Sequence, residues 1–356
     1  MLDNLLSEAD AHQLCALLDE SNHIIITCHV SPDGDAMGAV LAFSHYLWRR
    51  GKDALPVVPN VFPDFLKWMP GAERVRIYEK HEAELNPLIA AADLIVCLDF
   101  NASDRLLGMQ GPVVESPARK VMVDHHLDPS DFCEWRLSRQ DMSSTCELLY
   151  RVLVQIGGFE ALTHEEATCL YTGMMTDTGC FSYNSNRSDI YYVVGQLLAK
   201  GIDKDKIYRN VFYNYSADRF RLMGYLLYVK LEIFPEYHAS LMTLTRAEQK
   251  MFSHKKGDTE GFVNIPLQVK KARLSVFLRE DTERNCIRVS LRSVDDFPCN
   301  RMAADFFNGG GHLNAAGGEL VCTMDEAVDL VRKALKQYAP LLKEGTQTNT
   351  KQEQKG

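Results

Sequence analysis

Eight side chains able to hold a cation or move a proton fall at four places in the chain. They are His29, Asp33 and Asp35 within H-V-S-P-D-G-D, Asp99 within L-D-F, Asp124, His125 and His126 within V-D-H-H, and Asp177 within T-D-T. Carboxylate and imidazole without thiolate suit Mn²⁺ or a similar borderline-hard ion, and a pair of such ions about 3.5–4 Å apart serves phosphoryl hydrolysis. Asp33, Asp35, Asp99 and Asp177 bring four negative charges, which two divalent cations neutralise; without them the cluster repels itself and its carboxyl pKa values are forced up. One acid at a strand end is more often a turn or cap residue, and a His-His pair is often a surface feature. An imidazole and two acids within seven residues of one loop, and an apolar strand ending in Asp-His-His, are harder to explain that way.

These residues need a frame that brings distant segments together. The run 23–30 (HIIITCHV) reads as a buried strand, followed by a loop and a helix that Gly51 stops. A short strand at 54–60, irregular or edge structure at 65–75, and a charged helix near 80–92 come next. Segments 92–100 and 120–126 are further apolar strands that end in acids. In a parallel α/β sheet the carboxyl ends of the strands open onto the ligand crevice, which is where these acids belong. Ser143-Ser-Thr-Cys-Glu147 has the pattern of a helix start, with its helix running to about Gly157, and the helix begun by Thr163-His-Glu-Glu carries Asp177 near its end.

The expected fold class is α/β: an N-terminal parallel-sheet domain over 1–190, a helical connector over 191–230, and a smaller α+β domain over 231–340. Its strands are read in 228–234, 238–245, 261–268, 272–280 and 286–293, with an amphipathic helix at 324–338. The polar tail 341–356 is expected to be disordered.

Composition narrows the function. The 356 residues are 46% hydrophobic and 24% charged, with no apolar run long enough to span a membrane. The first twenty residues are acidic and helix-periodic, unlike a signal peptide, and the ten cysteines contain no C-x-x-C pair, so a reducing cytoplasm is expected. A net charge of -9 argues against a surface that tracks long nucleic acid, while leaving room for a short anionic substrate in a locally basic pocket. A homodimer stays open.

H-V-S-P-D-G-D-A, L-D-F, V-D-H-H and T-D-T, in that order, resemble the DHH phosphoesterase superfamily, and G-G-G-H-L-N-A-A-G-G (309–318) resembles the glycine-rich motif of the DHHA-type domain that accompanies it. The resemblance covers nearly the whole chain, and the compact two-domain form is similar to the NrnA type, oligoribonucleases that also act on 3'-phosphoadenosine-5'-phosphate. It implies that His29, Asp33 and Asp99 hold one Mn²⁺ and that Asp35, Asp99, His125 and Asp177 hold the other, with Asp99 bridging. It implies that His126 faces the scissile phosphate and that Asp124 accepts from an imidazole N–H. Arg105 and Ser144 are further candidate donors to phosphate, although a surface arginine and a helix cap are commoner. In the second domain a nest of backbone N–H groups at Gly310 and Gly311, with His312 beside it and Arg279 and Arg292 on neighbouring strands, is expected to grip the far end of the substrate. Short oligonucleotides and nucleotide bisphosphates are the expected partners. Linear or cyclic dinucleotides, polyphosphate and a non-catalytic nucleotide-binding module are the alternatives.

Overall fold

The structure, a computed structural model, describes residues 2–213, 215–255 and 257–344, and the chain divides between 214 and 215 into two compact units. In the first, β1 (His23–Thr27), β2 (Asp53–Val58), β3 (Arg76–Ile77), β4 (Leu94–Leu98), β5 (Arg119–Asp124) and β6 (Trp135–Ser138) form an all-parallel sheet in the order 3-2-1-4-5-6. Among the described residues eight α-helices accompany it: α1 (Glu8–Glu20), α2 (Gly34–Trp48), α3 (Tyr78–Ala90), α4 (Gln110–Glu115), α5 (Thr145–Gly157), α6 (His164–Asp177), α7 (Ser188–Ala199) and α8 (Lys204–Phe212).

The central strands are mostly apolar because both of their faces are covered. Ile24, Ile26, Val96, Leu98, Val121 and Val123 join one core with α1, α2, α5 and α6, while Ile25, Ile95, Cys97 and Met122 join a second core with α3 and α4. That alternation is the period of two expected of a pleated strand. The strand order reverses between neighbours β1 and β4, and the crevice of such a sheet opens at the carboxyl ends of that pair. Both strands are followed there by the sequence-predicted acids.

Close helix packing holds the loops in place. A Cβ on Gly38 of α2 would lie 2.7 Å from the Cys169 carbonyl oxygen of α6 and 2.8 Å from Cys146 Sγ of α5. One on Gly173 of α6 would meet Cys146 Sγ at 2.2 Å and Asp35 Oδ1 at 2.9 Å. Helices α7 and α8, expected within a connector, bury Ile190, Val193, Leu197, Ile207 and Val211 in the core of the first unit.

The second unit holds β7 (Glu232–Phe234), β8 (Ala239–Leu244), β9 (Leu274–Glu280), β10 (Ile287–Ser293), β11 (Gly310–His312) and β12 (Ala315–Leu320) in the order 11-12-10-9-8-7. All pairs are antiparallel except β8 with β9. One face packs on α11 (Cys299–Phe306) and α12 (Met324–Glu344); Met242, Leu244 and Phe277 on the other meet Leu222 of α9 (Ala217–Tyr225) and Phe262. The short α10 (Arg246–Met251) follows β8.

Several segments differ from expectation. Residues 262–268 form a 3₁₀ helix, not a strand, because Gly261 turns the chain at φ 79° and Pro266 has no N–H to give to a ladder. Of 228–234 only Glu232–Phe234 is extended, with a wide helical turn over Leu226–Lys230 before it. Helix α12 continues to Glu344, into the expected tail, whose remainder lies outside the described residues. Among the described residues no helix is long and apolar enough to cross a membrane, and the cysteines form no disulfide.

Gly38→Ala should lower stability in urea unfolding by about 1–3 kcal/mol, since the added methyl meets backbone that cannot swing away. Gly111→Ala, where a Cβ meets nothing within 4 Å, should change it little; equal losses would overturn this packing account.

Candidate metal centre

The loop after β1 is tied to the segment after β4 by the Val30 amide, which donates to the Arg105 carbonyl at 2.7 Å. His29 directs Nδ1 to the Val30 carbonyl, 2.8 Å away. Its Nε2 therefore faces Asp99 Oδ2 at 3.4 Å and Asp33 Oδ2 at 3.8 Å. Asp33 is the N-cap of α2: Oδ1 accepts from the Asp35 and Ala36 amides, both at 3.0 Å, and Oδ2 is left over. Asp35 is buried against the start of α5, where the Thr145 and Cys146 amides donate to Oδ2 at 2.6 Å and Oδ1 at 2.9 Å. The Thr145 hydroxyl donates to Asp99 Oδ1 at 2.8 Å.

Asp99 turns sharply out of β4 at φ 64°, a left-handed conformation that Asp and Asn tolerate better than other side chains. His125 repeats the plan of His29: Nδ1 lies 3.3 Å from the Met142 carbonyl. Its Nε2 sits 3.6 Å from Asp177 Oδ2, 3.7 Å from Asp99 Oδ1 and 4.0 Å from Asp35 Oδ2. His126 differs, with Nδ1 2.7 Å from Asp124 Oδ1 and its amide donating to Asp124 Oδ2 at 3.0 Å. The fully buried Asp124 thus orients His126.

Among the described residues three sets of side chains bring ligand atoms within 4.8 Å of one another: His29, Asp33 and Asp99; Asp35, His125 and Asp177; and Asp99, His125 and His126. Asp99 and His125 are each shared between two sets. The residues fit divalent cations. Both His29 and His125 commit Nδ1 to a carbonyl and aim Nε2 at acids, and the 3.4–4.0 Å gaps are longer than hydrogen bonds.

The electrostatics point the same way. Burial, then the charge of Asp99, pushes Asp35 up to about 7, and burial with Asp35 pushes Asp177 well above the carboxylate range. Burial alone would also raise Asp99, but His29 first, then His126 and His125, hold it well below that range. Burial would lower the imidazoles, but Asp99 and the neighbouring acids raise His29 and His125 to about 9. Negative charge has been concentrated here beyond what protein cations offset. Cys146 Sγ donates to the Asp35 carbonyl at 3.5 Å, and burial, then Asp35, holds its thiol protonated.

Other sequence-predicted residues lie elsewhere or act differently. Ser144 is fully buried and its hydroxyl caps α5, accepting from the Glu147 amide at 3.0 Å, so it offers nothing to a substrate. Thr145, its neighbour, is the residue that reaches the acids. The signal for it was partial: the start of α5 has free amides that favour a nearby anion, but the sequence does not say which acid they meet. Arg105 is half-buried beside the β1 loop.

In the second unit Gly310, Gly311 and His312 are edge strand β11, where a nest was expected. The glycines there allow backbones to approach: a Cβ on Gly311, at φ 140°, would lie 2.5 Å from the Ala315 carbonyl oxygen. The register aligns His312 with Ala315 and Ala315 with Arg292, putting His312 and Arg292 in one row on one face. Arg279 is four residues further along β9, opposite Arg288, and so stands apart from that row by about 13 Å.

Residues 23–174 match the DHH family, N-terminal domain, and 248–339 match the DHHA1 domain. The crystal structure of an exopolyphosphatase-related protein from Bacteroides fragilis, 50% identical, superposes with a TM-score of 0.93 over 96% of this chain and 100% of that one. The chain belongs to the DHH family of phosphoesterases. A DHH relative, the bifunctional oligoribonuclease and PAP phosphatase NrnA of Thermus thermophilus, is 28% identical over 317 residues, 88% of this chain and 89% of its own. RecJ in complex with Mn²⁺, from the same organism, superposes with a TM-score of 0.54 at 14% identity over 94% of this chain and 55% of that one, a likeness of fold.

Cation binding at this DHH centre should displace protons from imidazoles raised to about 9. Apparent Mn²⁺ affinity should therefore climb as pH rises from 6 to 9, with proton release visible as a buffer-dependent enthalpy in titration calorimetry. In the metal-free chain the sign is opposite: the charged imidazoles stabilise the fold below about 6.5, and that contribution fades as pH passes about 9. A pH-independent Mn²⁺ affinity would contradict the assignment.

Proposed function

We propose that the protein is a two-cation phosphoesterase, with Mn²⁺ the ion its donors suit best, that hydrolyses RNA of roughly two to five nucleotides to mononucleotides and 3'-phosphoadenosine-5'-phosphate to AMP. The observation that carries this reading is the sharing of Asp99 between ligand sets drawn from both sides of the sheet reversal. The near full-length relationship to an oligoribonuclease and PAP phosphatase supports the choice of substrate.

In this reading His29, Asp33 and Asp99 hold one cation and Asp35, Asp99, His125 and Asp177 the other. When bound, the pair supplies Lewis acidity toward phosphate oxygens and water. The chain's own groups do the rest. The Asp124 carboxylate takes a hydrogen bond from His126 Nδ1, leaving Nε2 to give a proton to the leaving oxygen as water's oxygen bonds to phosphorus and the ester P–O bond breaks. Arg105 offers its guanidinium to a phosphate oxygen. In the second unit the row of Arg292 and His312 offers donors to an anionic group of a nucleotide.

The likeness to an exopolyphosphatase-related protein favours one other substrate, inorganic polyphosphate. Purified protein with Mn²⁺, offered RNA and DNA of graded length, the bisphosphonucleotide, linear and cyclic dinucleotides and polyphosphate, separates these. Short RNA and the bisphosphonucleotide should turn over fastest, with loss on chelation and recovery on adding Mn²⁺. Faster turnover of polyphosphate, or of long RNA, would count against the proposal. Asp99→Asn keeps the left-handed turn but removes the bridging charge, and should lower kcat by about 10²-fold or more with an unchanged far-UV spectrum.

A further inference from the structure

Beside the centre lies a buried ion cluster that none of these roles uses. Glu147 of α5 is fully buried, and its Oε2 accepts from the Ser143 amide at 2.8 Å and the Ser143 hydroxyl at 2.7 Å. Arg187 Nη2 lies 2.7 Å from both Glu147 oxygens. Arg151 Nη2 reaches Oε1 at 3.2 Å and Asp189 Oδ2 at 2.8 Å. A buried carboxylate held by two guanidiniums is fixed in place, and removing one partner leaves it under-compensated.

What Glu147 fixes is the segment 142–146. Its Met142 carbonyl orients His125, and its Thr145 and Cys146 amides clamp Asp35. Arg187 arrives from the other side, ten residues beyond Asp177. The chain between them is wound tightly: Thr178 Oγ1 donates to the Met174 carbonyl at 2.6 Å and accepts from the Phe181 amide at 3.0 Å. Cys180 and Phe181 are both left-handed, at φ 58° and 63°. The Arg187–Glu147 pair therefore joins the stretch that supports Asp35 and His125 to the one that begins at Asp177. The set of His29, Asp33 and Asp99 has other supports, the Val30 carbonyl and the α2 cap, and meets the 142–147 stretch at the Thr145 hydroxyl on Asp99.

We propose that Arg187 is a positioning residue for one of the two cation sites, that of Asp35, His125 and Asp177, and not for the other. This rests on the two-cation reading above. Supports of this kind around metal ligands are worth about 10–100-fold in metal affinity.

The test is Mn²⁺ binding to the full chain, read by calorimetry and by the paramagnetic resonance of free Mn²⁺, without any turnover assay. Arg187→Met should raise one dissociation constant by about 10–100-fold while the other stays unchanged, and Arg187→Lys, which keeps the charge, should fall between. Arg49→Met is the control. Arg49 Nε binds the equally buried Glu166 at 2.7 Å, away from the centre, so its loss should lower the melting temperature and leave both constants alone. A change in both constants with Arg187→Met or Arg187→Lys, or in neither, overturns the proposal. Binding of fewer than two Mn²⁺ by the unmodified chain overturns the two-cation reading and this proposal with it.

Discussion

Mutual repulsion among buried carboxylates is the constraint under which the first unit is built. Asp35 and Asp99 are almost wholly removed from water, and Asp177 and Asp33 close the same space from its more open side. A fold can hold such a group only by surrounding it with donors, and the donors here come from structure that exists for other reasons. The amides at the start of α5 serve Asp35, the start of α2 serves Asp33, and a threonine hydroxyl serves Asp99. These fix each oxygen without cancelling its charge. The remaining deficit is what a divalent cation meets.

That arrangement explains why the ligand candidates were legible in the sequence while their supports were not. An apolar strand that stops at an acid announces both its burial and its rim residue, so His29, Asp99 and His125 could be read from three short segments. Thr145 and Cys146 clamp Asp35 through backbone amides, which leave no trace in residue type. Ser144 shows the reverse error. A hydroxyl ahead of a helix invites a functional reading, but helix geometry requires that position for a cap. Arg187 is a lone arginine in a polar loop, and only the fold reveals that Glu147 lies beneath it.

In the second unit, glycine has structural roles that composition alone does not specify. G-G-G-H reads as a nest for an anion, and in the structure its glycines let β11 lie against β12 where side chains would collide. Likewise 261–268 is apolar enough for a strand, yet its glycine and proline make it a helical turn packed over Phe277. Register decided which arginine keeps company with His312, and register is a property of pairing that one strand's sequence does not contain.

Asp33 begins a helix as well as facing the cations. Asp35 anchors one helix to the start of another, and Asp99 makes the turn that carries the chain out of the central sheet. A lineage that no longer needed the chemistry could not discard these residues one by one at no structural loss, because each also serves as part of the scaffold. Each of these three residues thus couples the site's charge to the scaffold's packing, whereas the Asp124 carboxylate serves mainly to orient His126.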